Sequence, residues 1–165
     1  MVYASAMETQ DCSVCRRPKG TLACGICLAP NCKKCVVKLE KDSFYFLPKI
    51  PLDLSHKFYC DSCYQAKVVP ELENYNTNMA KAKNISVYVR GQGEETRFFK
   101  RKEKPITITD CSDKNETLLR MAFLAATENF NTLFDVSITL KKIRDEGYQT
   151  KTWSGVGIPT TITNR

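Results

Sequence analysis

The sequence predicts an α+β protein in two parts, a metal-stapled N-terminal finger and then a small sheet with one main helix, ordered strands–helix–hairpin. Three observations predict it. Eight of the nine cysteines fall into four C-x-x-C pairs between residues 12 and 63. Apolar residues alternate with period two over 85–90 and again over 134–140. Between those stretches they recur at helical spacing over 114–129. Strands followed by a helix and a hairpin suit a sheet covered on one face.

The cysteine pairs are Cys12/Cys15, Cys24/Cys27, Cys32/Cys35 and Cys60/Cys63, separated by 8, 4 and 24 residues. Two residues between thiols let a tight turn aim both sulfurs at one tetrahedral metal, and four pairs complete two four-sulfur shells. The expected cofactors are therefore two structural Zn2+ ions. A disulfide framework is the competing reading. The first ten residues lack a basic region followed by an apolar stretch, so a cytoplasmic, reducing location is expected, where disulfides rarely persist. Sequential pairing would bridge only eight residues between Cys15 and Cys24, short for a zinc ribbon. The interleaved alternative puts Cys12, Cys15, Cys32 and Cys35 on one zinc, and Cys24, Cys27, Cys60 and Cys63 on the other. Interlocked sites cross-link a segment too small for a sizeable core, which favours the interleaved pairing. Cys111 has no partner spacing and reads as an ordinary thiol.

The order of the pairs, the four-residue gap after Cys27, and Tyr59-Cys60-Asp61-Ser62-Cys63-Tyr64 resemble a FYVE-type zinc finger. The resemblance covers residues 8–70 and implies a treble-clef, cross-brace finger with interleaved ligands. PHD fingers are similar, and Phe58 matches the aromatic they place two residues before the last pair. Their usual histidine ligand is replaced by Cys32; RING fingers fit less well. FYVE domains recognise a phosphoinositide through a basic, histidine-rich run around the third cysteine. Here Gly20-Thr21-Leu22-Ala23 precedes Cys24 and Gly25 follows it, so phosphoinositide binding is not expected. Arg16, Arg17, Lys33 and Lys34 are candidate binding residues, with charge balance for the thiolates as the plainer role. Eight cysteines complete two shells, which leaves His56 no ligand role. Phe44, Tyr45 and Phe46 suggest a strand closed by Pro48 and Pro51. They are either a hydrophobic binding loop or packing for the small core, and packing is favoured.

Residues 71–84 are polar and weakly patterned and read as a linker or short helix. The third segment, 85–162, opens with a strand at 85–90 and a turn at Gly91-Gln92-Gly93. Further strands are expected at 96–99 and 106–108, around a solvated basic run from Arg97 to Lys104. The helix over 114–129 starts at Asp113, suited to accept from exposed amides, with Glu116 favoured near the positive helix end. Leu119, Ala122, Phe123, Ala126 and Phe130 define its expected buried face, widened by Leu118, Met121 and Leu124. A strand at 134–140, a turn at Asp145-Glu146-Gly147 and a second arm from Tyr148 to Thr152 make the hairpin. Residues 153–159 end it, their glycines allowing a bulge or a close backbone approach. Asn131-Thr132-Leu133-Phe134-Asp135-Val136 and Trp153-Ser154-Gly155-Val156-Gly157 resemble the YbjQ-like bacterial domain family, which implies assembly into rings through sheet edges.

Function follows by elimination. A single histidine excludes most histidine-based acid–base or nucleophile arrangements. Four-cysteine zinc sites leave no open position for an activated water. The expectation is a non-enzymatic interaction and assembly protein, with the finger as recognition module, a protein partner, and homo-oligomerisation through the C-terminal domain. The alternatives are membrane-lipid or nucleic-acid binding through basic charge, and a RING-like ubiquitin-ligase adaptor. The formal charge is +7, with 10 basic and 8 acidic residues up to position 75 and 15 and 10 after it. Two Zn2+ on eight thiolates lower the finger by about four charges, so the remaining positive charge belongs to the second half.

Overall fold

The computed structural model describes residues 10–91 and 94–163. The chain divides into two compact units with the boundary between Tyr75 and Asn76.

The first unit is held by short elements. Strands β1 (Leu22–Ala23) and β2 (Pro30–Asn31) form one antiparallel hairpin. Strand β3 (Val37–Lys38) pairs antiparallel with β4 (Phe58–Tyr59). A 3-10 turn covers Leu52–Leu54, and α1 (Asp61–Cys63) begins at Cys60. A π-helical turn (Tyr64–Val68) then runs into α2 (Val69–Lys83), which crosses the boundary between the units. Of the two readings of residues 71–84, linker or short helix, the helix is the one observed: they lie almost wholly within the 15-residue α2. Their polar composition left both readings open, because a helix needs only a narrow buried stripe, here Tyr75, Asn78 and Ala82.

Phe44, Tyr45 and Phe46 are not a strand. They lie in consecutive turns, where Tyr45 N–H donates to Asp42 C=O and Leu47 N–H to Phe44 C=O. Phe44 is buried and meets the Tyr75 ring edge-on at 5.5 Å, and Phe46 N–H donates to the Tyr75 hydroxyl at 3.2 Å. Such an aromatic pair contributes ~0.5–1.5 kcal/mol beyond its area. Tyr59, the largest fully buried side chain, has its hydroxyl satisfied: it donates to Asp53 C=O at 2.9 Å and accepts from His56 N–H at 3.1 Å.

The second unit is a four-stranded sheet in the order β5-β7-β8-β6. Its strands are β5 (Ser86–Val89), β6 (Ile106–Cys111), β7 (Thr132–Asp145) and β8 (Tyr148–Thr160). β5 runs parallel to β7, and the other pairs are antiparallel. Helix α3 (Lys114–Thr127) packs on one face against β6, β7 and β8. Asp113 caps it by accepting from Glu116 N–H at 2.7 Å, while the Glu116 carboxylate accepts from Ser112 N–H at 2.9 Å.

The buried helix face matches expectation at Met121, Ala122, Phe123 and Ala126 and differs elsewhere. Thr117, Met121, Ala122, Phe123, Ala125 and Ala126 are buried, whereas Leu118, Leu119, Leu124 and Phe130 are only partly covered. The reason lies in β8. A Cβ on Gly155 would come within 2.7 Å of Thr117 Cγ2 and 2.9 Å of Met121 Cε, so the glycine lets that turn of helix sit directly on the strand. Residues 153–159 thus end the hairpin's second arm, as expected, and form the helix-covered half of a 13-residue strand that stops at Thr160.

The strand expected at 96–99 is a 3-10 turn, Glu94–Phe98. Phe99 after it lies edge-on to Tyr88 at 5.4 Å and to Phe134 at 5.3 Å. Phe134 neighbours the helix-side Leu133, so this aromatic cluster covers the opposite face of the sheet. Nearby Arg101 donates to Asp135 at 2.9 Å, where φ is +51° and the β7–β8 register shifts. In the turn expected at 91–93, Gly91 adopts φ +82°, and Gln92 and Gly93 lie outside the described residues.

Candidate metal centres

Two quartets of sulfurs converge in the first unit: Cys12, Cys15, Cys32 and Cys35, and Cys24, Cys27, Cys60 and Cys63. Within each quartet the sulfurs lie within 4.8 Å of one another. These are the interleaved groups, and they could each hold a metal ion.

Local structure explains the interleaving. In the first pair, Arg16 N–H donates to Cys12 C=O and Cys12 N–H to Arg17 C=O, both at 2.9 Å, with Arg16 at φ +59°. The second pair repeats this turn: Leu28 N–H donates to Cys24 C=O at 3.0 Å, Cys24 N–H to Ala29 C=O at 2.9 Å, and Leu28 has φ +62°. The third and fourth pairs sit on helical turns. Val36 N–H reaches Cys32 C=O at 3.1 Å, and Tyr64 N–H reaches Cys60 C=O at 3.0 Å. Each centre thus combines one reverse-turn pair with one helical-turn pair. The β1–β2 hairpin carries Cys24 and Cys27 at its tip and returns Cys32 to Cys12 and Cys15 at its base. Gly25 N–H donates to Phe58 C=O at 2.9 Å, tying the second turn to the strand that leads into Cys60.

The donor set fits a tetrahedral metal. Zinc–sulfur bonds of about 2.3 Å imply sulfur–sulfur edges of about 3.8 Å. Cys15 and Cys32 Sγ are 3.8 Å apart, and Cys27 and Cys60 Sγ are 3.7 Å apart. Both exceed the ~2.05 Å disulfide bond by far, and all nine cysteines are free. Peptide N–H groups of Cys15 and Cys32 lower the Cys12 thiol to about 6. Burial pushes Cys24 up, but the N–H groups of Cys27 and Cys60 outweigh it and bring that thiol to about 6. Conversely, hydrogen bonding with the Cys32 and Cys15 thiols raises Cys35 to about 12, and burial raises Cys63 to about 12. The first thiol of each quartet is thus held low by peptide N–H groups, and the last is held high by thiol hydrogen bonding or by burial. A divalent cation is the charge that reconciles them.

Asn31, which the sequence reading missed, braces the first centre. It is fully buried, accepts from the Ser13 hydroxyl at 3.1 Å and donates to Ala29 C=O at 2.8 Å. An asparagine next to a ligand cysteine was its only sequence signal.

Of the candidate binding residues, Arg17, Lys33 and Lys34 line one open groove of ≈ 840 Å³ with Pro18, Lys19, Thr21 and three ligand cysteines. Arg16 is exposed but does not line that groove. Buried Phe44 offers no binding surface, whereas Tyr45 is half-exposed. His56 joins neither quartet. Cys111 is buried beside β8, opposite Trp153. Among the described residues no helix is long and apolar enough to cross a membrane. No known protein-family model, curated protein or solved structure matches the chain.

Proposed function

We propose that the chain is a non-enzymatic, zinc-binding interaction and assembly protein. The observation that carries this reading is the pair of interleaved four-sulfur quartets with sulfur–sulfur edges of 3.7 and 3.8 Å. Thiolate donors at tetrahedral spacing select zinc among abundant divalent metals. When bound, zinc supplies a structural cross-link whose binding energy is folding energy for a unit of two-residue strands. A shell of four sulfurs is closed, so the centres position surface rather than activate water.

The recognition surface of this FYVE- or PHD-like finger is the groove of Arg17, Lys19, Lys33 and Lys34, and its partner is a protein. Phosphoinositide binding is not part of the proposal, because Gly25 replaces the basic residues that the FYVE motif needs. The second unit, YbjQ-like in this reading, joins copies of the chain. Its outermost strands β5 and β6 each keep one unpaired edge within the sheet, and Val87 and Val89 of β5 are exposed. Edge pairing between copies would cover both. The proposed location is the cytoplasm, where reduced thiols persist.

Native mass spectrometry of the full chain, before and after acidification, tests both halves. Two zinc ions per chain, lost in acid, and more than one chain per particle are expected. Fewer than two zincs would overturn the metal assignment, and a monomer at all concentrations would overturn the assembly role.

A further inference from the structure

We propose that the free end of the β7–β8 hairpin is a duplex-DNA-binding arm that enters the major groove and contacts phosphates through Lys142, Arg144 and Lys151. The inference is independent of the metal centres and adds a ligand to the second unit.

The argument begins with length. β5 pairs with β7 only as far as Val136, and β6 pairs with β8 only from Trp153 to Gly157. Beyond the Leu140–Trp153 pair, residues 141–152 bond only to each other. The five pairs from Lys141–Thr152 to Asp145–Tyr148 extend the ribbon about 17 Å past the sheet at ~3.4 Å per residue. Every residue from 139 to 151 is exposed. A two-residue turn closes it, with Glu146 at φ +42° and Gly147 at φ +89°, the twist-matched hairpin turn. An arm this long buries nothing for its own unit, so folding does not explain it.

Register then sorts the charges. Lys142 stands directly opposite Lys151, and Arg144 opposite Gln149. By the two-residue period these share a face with Leu140, Trp153 and the helix-covered Gly155. Like charges directly opposite on a sheet destabilise it. Among the described residues, none of these three cations has an ion-pair partner, and the carboxylates of Asp145 and Glu146 belong to the opposite face and the turn. A repulsive cluster kept on an arm with no packing role fits an anionic ligand.

Shape and composition select the anion. A two-stranded ribbon, its backbones about 4.8 Å apart, fits the B-DNA major groove of about 12 Å but not the deep, narrow major groove of duplex RNA. Gln149 adds a hydrogen-bonding side chain to the same face, and Tyr148 at the tip is 80% exposed. The finger's groove is the weaker candidate, since a four-thiolate zinc beside its four cations carries a net charge of about −2. On the ribbon the two carboxylates, Asp145 and Glu146, stand off the face that carries Lys142, Arg144 and Lys151.

Fluorescence anisotropy of the zinc-loaded full chain with a 5′-labelled 20-base-pair DNA duplex, titrated across salt, tests the proposal. Three phosphate contacts predict a log–log salt slope of about −3. The triple variant Lys142→Thr, Arg144→Thr, Lys151→Thr should bind at least about tenfold more weakly with a much shallower slope. Lys41→Gln with Lys49→Gln and Lys67→Gln, exposed cations outside both the ribbon and the finger's groove, should bind as the parent does. Circular dichroism and zinc content confirm that the variants fold, as expected for exposed positions. The proposal is overturned by no DNA binding at low salt, or by undiminished binding in the ribbon variant. Equal affinity for duplex RNA, or tighter binding to phosphatidylserine vesicles lost in the same variant, overturns it equally.

Discussion

The His56 ring occupies the space that any side chain at Gly25 would need. A Cβ on Gly25 would come within 2.1 Å of His56 Cγ and 2.3 Å of His56 Cβ. Gly25 lies inside the Cys24–Cys27 turn, so the one histidine of the chain packs against the backbone of a metal centre without ligating it.

Gly25→Ala should therefore destabilise the first unit by about 1–3 kcal/mol, since the colliding atoms are the stiff root of the His56 side chain. His56→Ala alone creates space, and the double variant should recover part of the loss. Chemical denaturation of the four proteins in a cycle measures the coupling. Additive losses would show that the two residues do not share this space.

The quartets predict how zinc leaves. Cys12→Ser with Cys32→Ser removes two ligands from one centre and should leave one zinc per chain. Cys12→Ser with Cys24→Ser strikes both centres and should leave none firmly bound. Sequential pairing would reverse these counts. Zinc released into a chromogenic chelator gives the stoichiometry.

Chelation should unfold the first unit and spare the second. The second unit has a buried core of its own, including Met121, Phe123, Leu133, Phe134 and Val136, each contributing roughly 1.5–3 kcal/mol on burial. The first has only two-residue strands, and the proposed zinc ions would supply its cross-links. Amide exchange after chelator treatment should show protection lost before Tyr75 and retained in β7 and β8. Equal loss in both would mean that the units fold as one.

Gly155→Ala should cost about 1–3 kcal/mol by pressing on Thr117 Cγ2 and Met121 Cε. Thr117→Ser removes the nearer of those atoms, and the pair should be less destabilised than the sum. Thermal melts of the single and double variants decide it.

Removing the Asp113 cap with Asp113→Ala should cost about 1 kcal/mol, because the Glu116 N–H loses its acceptor. Asp113→Asn, which keeps an acceptor oxygen, should cost less. Urea midpoints compare the two.

The sequence by itself determined what depends on local spacing. Four C-x-x-C pairs marked the donors, period-two alternation marked β5 and β7, Asp113 marked the start of α3, and Glu146-Gly147 marked the hairpin turn. Only the tertiary structure decided what depends on partners distant in the chain. The β1–β2 hairpin sent Cys32 back to Cys12, and metal-ligand spacing alone had left both pairings open. Gly155 turned α3 so that Thr117 and Met121, not Leu119, meet the sheet, because a helix lies lowest where the strand has no side chain. The polar residues of α2 left linker and helix both open, since propensity is weak and burial of Tyr75 and Ala82 tips the balance. Phe44 reads as an exposed loop or a buried anchor until Tyr75, 31 residues on, is seen beside it.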